Sequence, residues 1–191
     1  MHGPLNRTST SARAGFTIIE LVLVVVIIGI VAAFALPKID YTKYRVNSSM
    51  RGIGTSLMGA QRRAVSRQHD VIVTFVQARN AIRIHEDANN NGEVDDGERA
   101  RARPLGEHVV FGLGSAPAHP GFPGGPIVLT KQAGGLPALT FHRNGSASEL
   151  GGIYLSSYRG RLSDARLITI ERSTGRVSWF SYSSGQWVQG F

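Results

Sequence analysis

The 191-residue chain contains no cysteine. That excludes a disulfide framework, a thiolate metal site and a cysteine nucleophile, so stability must come from packing or from an ion. Acidic residues are also few, 13 against 21 lysines and arginines, and they are unevenly placed. Six of them (Glu86, Asp87, Glu93, Asp95, Asp96 and Glu98) fall within 86–98, a stretch without lysine or arginine. The remainder is strongly basic, which suits anionic partners or simply a solvated surface. Motifs for catalysis are missing as well: there is no H-E-x-x-H, Walker A loop, G-x-S-x-G elbow or dinucleotide fingerprint. The histidines at 2, 69, 85, 108, 119 and 142 are scattered. The expectation is that the chain is not an enzyme. No long internal repeat is present.

What the chain does have is a long apolar run. From Phe16 to Leu36, only Thr17, Glu20 and Gly29 are not hydrophobic. As a helix at about 1.5 Å per residue it would be roughly 32 Å long, enough for a bilayer core of about 30 Å. Its one charge, Glu20, lies near the start, where a carboxylate at membrane depth costs a few kcal/mol and generally has a partner. A secretory signal peptide is one reading, with Arg7 and Arg13 as the cationic region and Ala33-Phe34-Ala35 as cleavage site. A plain membrane anchor is another. Neither accounts for the acid, nor for the Gly-Phe step ahead of the run.

The segment Ala14-Gly15-Phe16-Thr17-Ile18-Ile19-Glu20-Leu21 resembles the processing site of type IV prepilins and type II secretion pseudopilins, and Pro37 stands where that family has its helix proline. The resemblance implies a leader over 1–15, removed by a prepilin peptidase between Gly15 and Phe16, and N-methylation of Phe16. It implies that 16–37 is a transmembrane and filament-core helix, that Glu20 serves assembly, and that Pro37 kinks the helix. It also implies a single-pass protein of the bacterial inner membrane, N-terminus cytoplasmic and domain 38–191 periplasmic. Local charge does not settle that orientation, because Lys38, Lys43 and Arg45 follow the run closely.

Beyond Pro37, small or apolar residues recur at Ile39, Val46, Met50, Ile53, Leu57, Ala60 and Ala64. The spacing predicts an amphipathic helix over 38–68, continuous with the apolar run. From Asp70 the period changes to two, and 70–191 reads as β-rich. Strands are expected at 71–76 and 81–85, near 108–111, and at 127–130, 139–142 and 152–156. A C-terminal hairpin, 166–171 with 176–182, carries a further edge at 186–188. Residues 112–126, rich in glycine and proline, read as a loop. Asn144-Gly145 is a turn signal between the strands at 139–142 and 152–156. The fold class is α+β, pilin-like: one long N-terminal helix, membrane half then amphipathic half, packed on antiparallel strands.

This order of elements is similar to that of the GspH/FimT group of minor pseudopilins and minor pilins, as are the D-x-N-x-N-G loop, Leu139–Gly145 and Ile168–Val177. The implied function is a minor pseudopilin of a type II secretion system, assembled with other pseudopilins. The alternative is a FimT-like minor type IV pilin serving DNA binding and uptake. Relatives of the second kind bind DNA through G-R-x-R; here Gly175-Arg176-Val177-Ser178 lacks the second arginine. Arg172 and Arg176 are the candidate DNA contacts, with Trp179, Tyr182 and Trp187 as candidate stacking surfaces. Asp87–Glu98 fits the calcium-loop pattern D-x-[DN]-x-[DN]-G-x5-E, with Asp87, Asn89, Asn91, Glu93, Asp95 and Glu98 as candidate Ca²⁺ ligands. The same residues also favour an ion-free hairpin turn.

Overall fold

The computed structural model describes residues 15–35 and 41–190. The chain divides into two units, 1–40 and 41–191. In the first, helix α1 (Ile18–Ala35) carries the apolar run. Thr17 caps it: its hydroxyl accepts the Glu20 N–H at 3.3 Å, and its carbonyl accepts the Leu21 N–H at 3.2 Å. Thr17-x-x-Glu20 is thus a capping-box sequence, a local signal that starts the helix where the apolar run starts. At 18 residues α1 is about 27 Å long, and among the described residues no helix is long and apolar enough to cross a membrane. Leu36 and Pro37 lie outside the described residues, and so does the expected kink.

The second unit opens with α2 (Tyr41–Arg67). The apolar stripe is where the periodicity places it: Val46, Met50, Ile53, Leu57, Ala60 and Ala64 are all buried. The helix stops one residue earlier than expected, because Gln68 takes the left-handed conformation (φ 57°) that closes helix C-termini.

Eleven strands follow among the described residues: β1 (Asp70–Val76), β2 (Ala81–Asp87), β3 (Arg99–Pro104), β4 (Val109–Phe111), β5 (Ile127–Val128), β6 (Gln132–Ala133), β7 (Leu136–Phe141), β8 (Gly151–Ser157), β9 (Arg166–Ile170), β10 (Val177–Ser183) and β11 (Gln186–Gln189). They form two antiparallel sheets, β3-β2-β1-β7-β6 and β11-β10-β9-β8-β4, with β5 also paired to β8. The stripe of α2 packs on both. Val71, Val73 and Phe75 of β1, Ile82 and Ile84 of β2, Leu139 and Phe141 of β7, and Ile153, Ile168 and Ile170 of the second sheet join it in one core.

Three expectations need correction. The strand β3 was not anticipated: Arg-Ala-Arg-Ala-Arg-Pro lacks the β-branched and aromatic residues that mark strands, and only pairing with β2 makes it one. The hairpin β6–β7 was also missed, although Gly134 and Gly135, with φ of 56° and 72°, form the Gly-Gly turn that two-residue hairpins favour. Finally, Asn144-Gly145 is a turn but does not join β7 to β8. Ala147 bridges back to Phe141, and Ser148 donates to the Thr140 carbonyl. The return strand is used up there, and the chain crosses to the other sheet.

The 112–126 loop covers the outer face of the second sheet. Phe122 packs with Tyr154 and Leu167, and Leu113, Val128, Phe180 and Trp187 surround them. The Tyr154 hydroxyl donates to the Phe122 carbonyl and accepts the His119 N–H, both at 2.8 Å. Gly152 lets the ring of Phe122 lie flat on β8, since a Cβ there would stand 2.6 Å from Phe122 Cδ1. With α2 on the other face, every residue of β8 and β9 is buried.

Candidate functional site

The N-terminal motif presents Phe16 and Glu20 at the start of an apolar helix. Phe16, Ile18, Ile19, Leu21 and the valines and isoleucines through Val31 are all exposed. A helix apolar on every side needs lipid or other helices around it. Glu20 stands in the first turn of α1, where the helix dipole favours a carboxylate.

The loop 87–98 is the connection of the β2–β3 hairpin, and its polar side chains mostly bond one another. Asp87, fully buried, accepts the backbone N–H groups of Asn91 (3.1 Å) and Gly92 (2.8 Å). Asp95 accepts the side-chain amides of Asn89 (3.0 Å) and Asn91 (2.7 Å). The Asn91 side-chain Oδ1 takes the Glu93 N–H at 2.8 Å, and Glu98 takes the Ala88 N–H at 3.0 Å, with its second oxygen buried and unpartnered. Among the described residues no group of three or more His, Asp or Glu side chains is placed to hold a metal ion. These bonds close the hairpin loop.

Melting the full chain in millimolar Ca²⁺ and in chelator separates the two accounts. The hydrogen-bonded loop requires equal melting temperatures, and a drop in both on Asp87→Ala, which removes two hydrogen bonds to a buried carboxylate, each worth about 1.5–3 kcal/mol as a bond to a charged group. A higher melting temperature in Ca²⁺, abolished by Asp87→Ala with Glu98→Ala, would mean that the loop takes an ion.

A residue that sequence reasoning passed over joins the two turns singled out above. The Gln61 amide, on α2, donates to the carbonyls of Gly145 and Thr174, both at 2.7 Å. Gly175 packs against the Gly145 carbonyl with φ 62°, so no side chain fits there. Arg172 and Arg176 are exposed on this paired turn. The aromatic candidates are committed elsewhere. Trp179 lies on Gly54 of α2, and Trp187 donates to the Pro117 carbonyl at 3.0 Å beside Tyr154 and Tyr182. Nothing in the local sequence marks Gln61, because its partners lie 84 and 113 residues away.

Behind the loop, Glu86 is nearly buried and accepts a hydrogen bond from Arg67, with Arg63 and His69 close by. His142 meets Asp70 at 2.7 Å. These pairs tie the end of α2 and the β7 turn to the first sheet. No nucleophile stands beside a base in either cluster.

Residues 10–36 match the model of the prokaryotic N-terminal methylation motif. The chain is 28% identical over 96 residues to the pilin-like protein PilA1 of Thermus thermophilus, across 50% of this chain and 62% of that relative. The match therefore spans less than two thirds of that protein. In structure it is similar to the minor pseudopilin EpsH from the type 2 secretion system of Vibrio cholerae. The TM-score is 0.51 at 11% identity, over 72% of this chain and 97% of that one. That likeness is one of fold. The chain thus joins a prepilin-type N-terminal motif to a fold similar to that of a minor pseudopilin.

Proposed function

We propose that the chain is a minor pseudopilin of a type II secretion system: a filament subunit, not an enzyme. It is made with a leader over 1–15, anchored in the inner membrane through 16–37, and assembled with other pseudopilins through the same helix. Its domain from 38 onward faces the periplasm. One observation carries the reading: a methylation motif stands directly ahead of a domain with the minor pseudopilin fold. The exposed apolar surface of α1 supports it, since lipid or neighbouring subunits would cover that surface.

Intact-mass analysis of the protein from its native membrane tests this. The expected mass lacks residues 1–15 and carries one added methyl group on Phe16. Loss of the first 35 residues would instead establish an ordinary signal peptide.

A second reading, a FimT-like minor pilin for DNA uptake, is favoured by the exposure of Arg172 and Arg176 on the turn that Gln61 holds. Packing of the half-buried Trp179 and Trp187 indoles against the fold removes part of the stacking surface from it. Neighbouring secretion genes would favour the first reading, and a pilus or competence cluster the second.

A further inference from the structure

A cleft of about 320 Å³ runs between α2 and the edge strand β3, lined by Thr55, Ser56, Gly59, Arg63, Arg101 and Arg103 among others. Register decides where β3 sends its arginines. Arg101 and Arg103 stand opposite Ile84 and Ile82, and opposed residues share a face of the sheet. Those isoleucines are buried in the core under α2, so the guanidinium groups rise on the helix side. At one end of the cleft Arg103 lies over Gly52, where a Cβ would stand 2.5 Å from its Nη2. At the other end, a Cβ at Gly59 would meet nothing within 4 Å. The floor is open there.

Arg63 follows Gly59 by one helical turn. Its Nε is buried and has no hydrogen-bond partner. The carboxylate beside it, Glu86, is 3.9 Å away and already bonded to Arg67. Arg101 and Arg103 make no ion pair among the described residues, and no acid lines the cleft. Edge strands often carry charge to block strand addition, and that accounts for arginines on β3. It does not account for their facing a cleft, nor for a buried Arg63 Nε on the opposite wall that has no hydrogen bond and only a 3.9 Å ion pair with Glu86. Guanidinium forks match the oxygens of phosphate, and three arginines lining one cleft favour a multiply charged oxyanion.

We propose that the α2–β3 cleft binds a phosphate-type oxyanion, free or presented on a phospholipid headgroup, held by Arg63 and Arg101 toward the open floor at Gly59, with Arg103 closing the Gly52 end. The site is independent of the assembly role. Calorimetric titration of the full chain in uncharged detergent with inorganic phosphate, at matched chloride ionic strength, tests it. The expected result is a saturable isotherm and a higher melting temperature in phosphate than in chloride. Arg101→Gln with Arg103→Gln should weaken binding by about tenfold or more.

Gly59→Glu sets a carboxylate on the floor one turn before Arg63. It should remove phosphate binding while melting above the native chain in chloride, so that its loss of binding is not a loss of fold. Micelles doped with phosphatidate, but not with phosphatidylcholine, should compete if the headgroup is the source; equal isotherms in both would identify free phosphate. Equal melting of the native chain in phosphate and chloride, or undiminished binding by the double arginine variant, would overturn the site. So would displacement of an oligonucleotide-binding isotherm that phosphate itself does not produce.

Discussion

Replacing Glu20 by alanine is expected to leave a membrane-inserted, folded protein that no longer co-purifies with its partner subunits. The helix start does not need the carboxylate. The capping contact at Thr17 is made by the backbone N–H of residue 20, which alanine keeps. Alanine is also the better helix former, and loss of the favourable charge near the helix N-terminus costs only about 0.3–1 kcal/mol.

The cost falls on assembly. After cleavage Phe16 would carry an ammonium group. An intrachain pair with Glu20, four residues on, is the simplest partner for it. In a filament core of low dielectric, the same carboxylate can meet the Phe16 ammonium of a neighbour. Removing one member of a buried pair costs about 3–5 kcal/mol, or roughly two to four orders of magnitude in association. Glu20→Gln, with the same volume and no charge, should fail in the same way. Normal co-purification of either variant would rule out the intersubunit pair, and an unchanged melting temperature of the β-rich domain would show that folding was untouched.

Arg166→Met should produce the largest loss of stability. Arg166 opens β9 and is 4% exposed. Its Nε donates to Asn47 Oδ1 on α2 at 2.7 Å, and its Nη1 donates to the carbonyls of Ser163 and Ala165, each at 2.8 Å. Burial pushes its pKa down, while the Asp164 carboxylate opposes that shift. Asp164 is fully buried and is further held by the Ser157 hydroxyl at 2.6 Å.

Methionine fills much of the volume but leaves Asn47 Oδ1 and the Ser163 carbonyl without this donor, the Ala165 carbonyl with the Tyr182 N–H alone, and Asp164 without its nearby positive charge. A loss of about 3–5 kcal/mol follows, or about 10 °C in melting temperature for a domain of this size. Arg79→Met, at an exposed position in the β1–β2 turn, should stay within about 0.5 kcal/mol of the native chain. Equal shifts for the two variants would mean that the Arg166 network contributes nothing beyond surface charge.

Sequence alone determined what neighbouring residues decide among themselves. The processing motif is contiguous, so no partner elsewhere is needed to read it. The buried stripe of α2 repeats at the helical period, and each hairpin β1–β2 and β9–β10 pairs segments joined by a short turn. Tertiary structure decided everything that depends on distant partners. Whether β8 joins β7 or β9 is settled by pairing across the fold, because local alternation suits either. Arg-Ala-Arg-Ala-Arg became a strand only where β2 offered an edge, and that register then turned its arginines toward α2. The glycine- and proline-rich loop became a cover once Gly152 gave Phe122 a surface to lie on. Gln61 and Arg166 look like ordinary polar residues in a helix and at a strand start. The bonds of Gln61, and that of Arg166 to Asn47, reach segments 84 to 119 residues away, since hydrogen-bond demand in a core is met by whichever groups the packing brings within reach.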